Sequence, residues 1–238
     1  MDFSYTNIFE TKGIEYLVII GFLLLIIPFW ILLNRPIKLS KNLQQAFGVL
    51  TDNVLRIPQG LFYSKNHTWT HLGRMGSAKV GLNDLLVHLT GTVQLNNLKA
   101  VGESVNKGEI MAEIMQNGKV LKIASPISGR IEGVNAELYE NPTALNDDPY
   151  EKGWIYKIKP EAWKQDTNSY LLAHEATQWI NMELARFKDF IAITMSRLSP
   201  EMSMVVLQEG GELSDNPLSE MPNEVWCSFQ DQFLDTVS

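Results

Sequence analysis

Residues 110–134 read IMAEIMQNGKVLKIASPISGRIEGV. Three short β-rich runs, IMAEIM, KVLKIA and GRIEGV, are separated there by two chain reversals. The first reversal is Asn117-Gly118 between apolar runs, the strongest short-range hairpin signal, because both central residues of a type I′ turn need positive φ. The second is Ser125-Pro-Ile-Ser-Gly129. Working outward, LFY, TWTHL, AKVGL and TVQL precede this stretch and WIYKIK follows it, each bounded by Gly, Pro or Asn. Short strands at such close spacing predict a compact antiparallel sandwich or barrel over 61–163, with the Gln116–Lys119 hairpin at its surface. One short helix interrupts the strands: Asn83 caps it, Leu85, Leu86 and Leu89 form its apolar face, and Gly91 ends it in the left-handed conformation. No nucleophile with a base, and no acid/base pair, can be picked out, so the expectation is a protein that is not an enzyme.

Residues 1–60 differ in composition. Ile14–Leu33 reads IEYLVIIGFLLLIIPFWILL, with one charge, Glu15. About twenty helical residues at about 1.5 Å each span a hydrocarbon core of about 30 Å. Pro28 is tolerable in such a helix, and Tyr16 and Trp30 lie toward its ends as interface anchors. A cleaved signal peptide fits less well: the preceding stretch holds Asp2, Glu10 and Lys12, and no small-residue cleavage site follows. Arg35, Lys38 and Lys41 after the segment predict an N-terminus outside and everything beyond in the cytoplasm, that is, a single-pass protein of the cell inner membrane. Residues 1–38 thus form a tail and transmembrane helix. Residues 39–60 read as a stalk, with Leu43, Ala46, Phe47, Leu50, Val54 and Leu55 at helical spacing from Ser40.

The 238-residue chain has a formal net charge of -7 and a pI near 5.2. That balance argues against a broad nucleic-acid surface, which needs clustered Lys and Arg. The lone cysteine, Cys227, near a Trp and two Phe, reads as a small buried hydrophobe. His67, His71, His88 and His174 lack metal-ligand spacing, so no metal is expected. Residues 164–238 form an α-rich extension. Ser169–Leu198 has apolar residues at helical intervals, among them Leu172, Trp179, Met182, Leu184, Phe187, Phe190 and Met195. Ser203–Leu207 reads as a short strand and Gly210-Gly211 as a turn. Asn223 can cap a last helix carrying Val225, Trp226, Phe229 and Phe233. The expectation is that at least the first helix packs on the β domain, with docking of a partner as the alternative.

Several motifs resemble the H protein of the glycine cleavage system. They are Tyr63, His67 and Trp69; Val80-Gly81-Leu82-Asn83-Asp84; Gly91; Val101-Gly102 and Gly108; Ser125-Pro126 with Ser128-Gly129; and Asn135, Asn141-Pro142, Leu145-Asn146, Asp148-Pro149-Tyr150 and Gly153-Trp154. The resemblance runs from about Leu61 to Lys159. It implies a barrel-sandwich hybrid of the lipoyl-domain type, giving a mainly β fold class with an N-terminal transmembrane helix and the α-rich extension.

The resemblance also implies a carrier chemistry: lipoate on one lysine at a hairpin tip, as a swinging arm between partner enzymes. The family writes that hairpin Glu-Ser-Val-Lys-Ala. Aligned without a gap, those positions are Met115, Gln116, Asn117, Gly118 and Lys119. The attachment position is therefore Gly118, and Lys119 is the nearest candidate, one residue late; Lys122 is four late. A shift of one residue in a strand turns a side chain to the opposite face. The reading preferred is a scaffold without a cofactor, serving as a subunit of a membrane-associated complex, an electron-transfer complex being one candidate, with other protein subunits as partners. The alternative is a lipoate carrier modified at Lys119.

Overall fold

The computed structural model describes residue 16 and residues 18–27, 49–50, 54–198 and 213–235. The chain forms two compact units, 1–43 and 44–238. In the first, residues 16 and 18–27 are helical, with large exposed apolar side chains such as Phe22, Leu24 and Leu25. Among the described residues no helix is long and apolar enough to cross a membrane. The rest of the span expected over Ile14–Leu33 lies outside the described residues.

The second unit opens with β1 (Val49–Leu50), followed by β2 (Phe62–Tyr63), β3 (Thr68–Leu72), β4 (Ala78–Leu82) and the helix α1 (Asp84–Thr90). Then come β5 (Gln94–Asn97), β6 (Ser104–Val105), β7 (Ile110–Gln116), β8 (Lys119–Ala124) and β9 (Gly129–Val134). The short helices α2 (Glu137–Glu140) and α3 (Ala144–Asp147) precede β10 (Trp154–Pro160). The extension supplies α4 (Trp163–Thr167), α5 (Ala173–Leu198), β11 (Leu213–Ser214), a 3-10 turn (Pro217–Glu220) and α6 (Asn223–Phe229), which runs into a π-turn (Gln230–Leu234).

The domain is the antiparallel β sandwich that the runs of 61–163 predict. One sheet has the order β2-β3-β4-β10-β9-β6 and the other β5-β7-β8. Irregularities in β10, at Trp154/Tyr156 and Lys157/Ile158, add the local twist that lets a sheet curl over a core. That core holds Val80, Leu82, Met111, Ile114, Leu121, Ile131 and Ile158, all 1% exposed or less. Trp69 lies flat across Gly81, where a Cβ would come within 2.7 Å of the indole ring. The Trp69 N–H donates to the Pro149 carbonyl at 3.1 Å. Asn83 caps α1 by accepting from Leu86 N–H at 3.0 Å. Gly91 ends it at positive φ but with ψ of -152°, outside the left-handed helical region expected.

The extension packs on this core. The buried face of α5 carries Ala176, Trp179, Ile180, Leu184, Phe187, Phe190 and Ile191. Phe187 meets Phe229 edge-on at 5.7 Å, and Phe229 stacks on Phe233 at 4.8 Å.

Several expectations are corrected. The helix expected over Ser40–Leu55 is a strand at Val49–Leu50, paired with Leu213–Ser214; residues 40–48 and 51–53 lie outside the described residues. Leu50 and Leu55 are buried in the domain core. Helix α5 begins at Ala173 and not Ser169, because Leu171 exchanges two 3.0 Å backbone hydrogen bonds with Tyr63. Leu172 and Met182 are exposed, away from the buried face. Pro222, not Asn223, occupies the cap position of α6. Cys227 is exposed, because the spacing 226, 229, 233 is the buried face of that helix. Met195, Ser203–Leu207 and Gly210-Gly211 lie outside the described side chains or residues.

Candidate functional site

The β7–β8 hairpin is built as its sequence demands. Asn117 and Gly118 have φ of 51° and 79°, and Gln116 pairs with Lys119 across the turn. Both tip residues are exposed. The Gln116 side-chain amide donates to the carbonyls of Thr90 and Thr92, at 3.0 and 2.9 Å, and so ties the hairpin to the end of α1. Gly118, the position that the gapless reading of the motif gives to the attachment lysine, has no side chain to modify.

Lys119 does not reach into solvent. It lies in the buried row of β8 with Leu121 and Ile123, and is 8% exposed. Its Nζ donates to three carbonyls, Ser219 at 2.7 Å, Met221 at 3.0 Å and Leu218 at 3.3 Å. An ammonium has three protons, so its hydrogen-bonding capacity is filled. The same carbonyls close the 3-10 turn Pro217–Glu220, whose negative end favours a cation. The indole of Trp226 covers the amine from 4.9 Å and donates its own N–H to the Leu218 carbonyl at 2.7 Å. Burial pushes the Lys119 pKa below its ordinary value, with Glu220 acting weakly the other way. A lipoyl amide needs a free amine with space beyond it. The tip offers no amine and Lys119 no space, so the residues here do not fit the group.

Lys122 is exposed, opposite Glu113. Its backbone N–H donates to Gln230 Oε1 at 2.8 Å, and Gln230 Nε2 donates to its carbonyl at 3.2 Å. The edge strand β8 is thus covered by the C-terminal segment, one way in which a sheet edge is protected from stray pairing.

The motif residues are architectural. Tyr63 Oη donates to the Pro58 carbonyl at 3.1 Å. The Asn135 side-chain amide donates to the carbonyls of Lys152 and Trp154, both at 2.7 Å, and its oxygen accepts from Glu137 N–H at 3.2 Å. His67 is fully buried, with Nδ1 3.1 Å from the Asn83 amide and Nε2 3.6 Å from Glu183, under the ring of Trp179. His71, by contrast, is exposed on β3, and among the described residues no group of side chains could hold a metal ion. The reading of the sequence missed the carbonyl cage altogether. Carbonyls carry no residue signature; Trp226 was the one available hint.

A model of the family "Glycine cleavage H-protein" matches residues 61–183. The probable glycine cleavage system H protein of Pyrococcus furiosus is 32% identical over 125 residues, 52% of this chain and 92% of that protein. The H protein of Kocuria rhizophila is 36% identical over 123 residues, 51% of this chain and 94% of that protein. The crystal structure of an H protein from Mycobacterium marinum aligns with a TM-score of 0.46 and 29% identity, covering 52% of this chain and 98% of that one. The segment that cages Lys119 lies beyond residue 183, outside the matched region. The family model's match over half of the chain, with relatives more than 30% identical that are covered almost whole, places the chain in the glycine cleavage H-protein family.

Proposed function

We propose that this family member is a membrane-anchored scaffold, not an enzyme, that serves as a subunit of a membrane-associated complex and has given up lipoyl attachment. The observation that carries the reading is the Lys119 amine held by three carbonyls beneath Trp226. A swinging arm needs an accessible root, and here the nearest lysine to the attachment position roots an internal contact instead. The anchor is the apolar segment Ile14–Leu33, and the basic residues after it favour a cytoplasmic C-terminal domain.

A second reading, a lipoate carrier modified at Lys119, is favoured by family membership, since the relatives are named as H proteins of glycine cleavage. Intact mass of the protein from its own membranes separates the two. The expected mass is that of the unmodified chain. A lipoyl increment that disappears in Lys119→Arg would replace the scaffold with the carrier. Carbonate extraction tests the anchor: the chain should stay in the pellet, and a reporter fused after Ser238 should report cytoplasm.

A further inference from the structure

The chain is acidic, yet its larger sheet gathers cations on one face. Lys79 and Lys157 are direct cross-strand partners, with His71 opposite Lys79 on the next strand. Like charges directly opposite on a sheet destabilise it. Here they share the half-buried Trp154, whose ring lies 5.7 Å from Lys79 Nζ and 4.8 Å from Lys157 Nζ. A second row continues the pattern, Lys159 opposite Arg130. An open hollow of about 830 Å³ on this face is lined by Arg74, Lys79, Lys152 and Lys157 together with His71, and by the carboxylate of Glu151, while a second carboxylate, Glu132, accepts from the lining residue Ser77. Among the described residues, no ion pair holds Arg74, Lys79, Lys152 or Lys157.

The lip of the hollow is apolar. Met75, in the β3–β4 turn, is 96% exposed, and Leu72 beside it is 39% exposed. For a small soluble anion a projecting methionine serves no purpose. At a lipid surface, cations on long apolar stems meet the headgroups while an apolar tip enters the acyl boundary. The chain between Leu33 and Val49 can span at most about 55 Å, which bounds how far an anchored domain can move from the bilayer.

We infer that this face docks on anionic phospholipid headgroups, with Arg74, Lys79, Lys152 and Lys157 reading phosphate and Met75 entering the interface. The inference rests on the anchor reading given above. The test uses the full chain in nanodiscs of phosphatidylcholine alone or with one-third phosphatidylglycerol. Cys227→Ser removes the native thiol, and Met75→Cys carries a polarity-sensitive fluorophore. The expected result is a blue shift and protection from aqueous iodide in the anionic discs alone, both lost at raised salt. Lys79→Glu with Lys157→Glu should weaken the response at least about twenty-fold, at about five-fold per charge, while Lys164→Glu leaves it unchanged. Unaltered melting of each variant shows that it is folded. A silent probe in anionic discs, an equal response in neutral discs, or a response only to an added acidic polypeptide overturns the inference. A chain that carbonate retains while the probe is silent sinks the inference alone. A chain that carbonate releases sinks the anchor and the inference with it.

Discussion

Lys119 shows how one position changes what a hairpin can do. Asn117-Gly118 was legible as a turn, because positive φ at two successive residues has a plain residue signature. The alternation of buried and exposed residues along β8 was legible too, and it places Lys119 in a row with Leu121 and Ile123. What no pattern could reveal was a set of backbone acceptors about a hundred residues away, at Leu218, Ser219 and Met221. Lys119→Met should leave those carbonyls without their donor. The expected loss is about 2–3 kcal/mol, read from the urea midpoint, with Lys119→Arg losing less because it keeps charge and donors. An unchanged midpoint in Lys119→Met would mean that the cage contributes nothing. Gly81→Ala is the counterpart in the core. It forces Trp69 off its seat and should cost about 1–3 kcal/mol by the same measurement.

Among the elements, the C-terminal segment is held to α1 by charge as well as by apolar contact. His88 Nδ1 lies 2.9 Å from Asp215 and Nε2 lies 3.7 Å from Asp84, while Asn216 N–H donates to the His88 carbonyl at 2.9 Å. Burial works to lower the His88 pKa, but the hydrogen bond and the charges of Asp215 and Asp84 prevail and raise it above 6.5. A histidine whose folded pKa is raised gives stability that is fully present below its unfolded value and lost as pH rises through the folded value. Burial also raises the Asp84 pKa, so ionising Asp84 works in the same direction at lower pH. Thermal stability should therefore fall as pH rises above about 6.5, by about 2–4 °C if the bridge is worth about 1 kcal/mol. His88→Gln should flatten that step. A melting temperature that rises through the same window would contradict the geometry. His88 and Asp215 lie 127 residues apart, so that half of the bridge had no local signature, whereas Asp84 and His88 are four apart on one helix. The strand at Val49–Leu50 was misread for a related reason: two residues of β pairing depend wholly on the distant Leu213–Ser214.

At the scale of the whole molecule, the second unit is a family sandwich with a segment added that the matched region lacks. The sandwich closes its own core through residues of 61–163, such as Val80, Ile114, Leu121 and Ile158. The matched region ends at residue 183, within α5, so the rest of that helix and everything after it is extra. The extra part buries Leu218, Val225, Trp226, Phe229 and Phe233 in the common core, with its 3-10 turn on α1 and its last helix on β8 and α5. At about 1.5–3 kcal/mol for each buried side chain, it is no loose tail. Ending the chain before Leu213 should then have three consequences. The sandwich should still unfold cooperatively, though at lower stability, because residues such as Val80, Ile114, Leu121 and Ile158 remain to form a core between its sheets. The far part of α5, from Phe187 onward, should lose its packing partners and expose an aromatic face. Lys119 should lose its carbonyl cage and become reactive. Amine labelling followed by mass spectrometry reads the last point directly. In the full chain Lys119 should label far more slowly than the exposed Lys122, and in the shortened chain its rate should rise at least about tenfold, since the amine then needs no opening event to meet the reagent. If Lys119 already labels as fast as Lys122 in the full chain, the cage is not closed in solution, and the case against a swinging arm on this lysine fails.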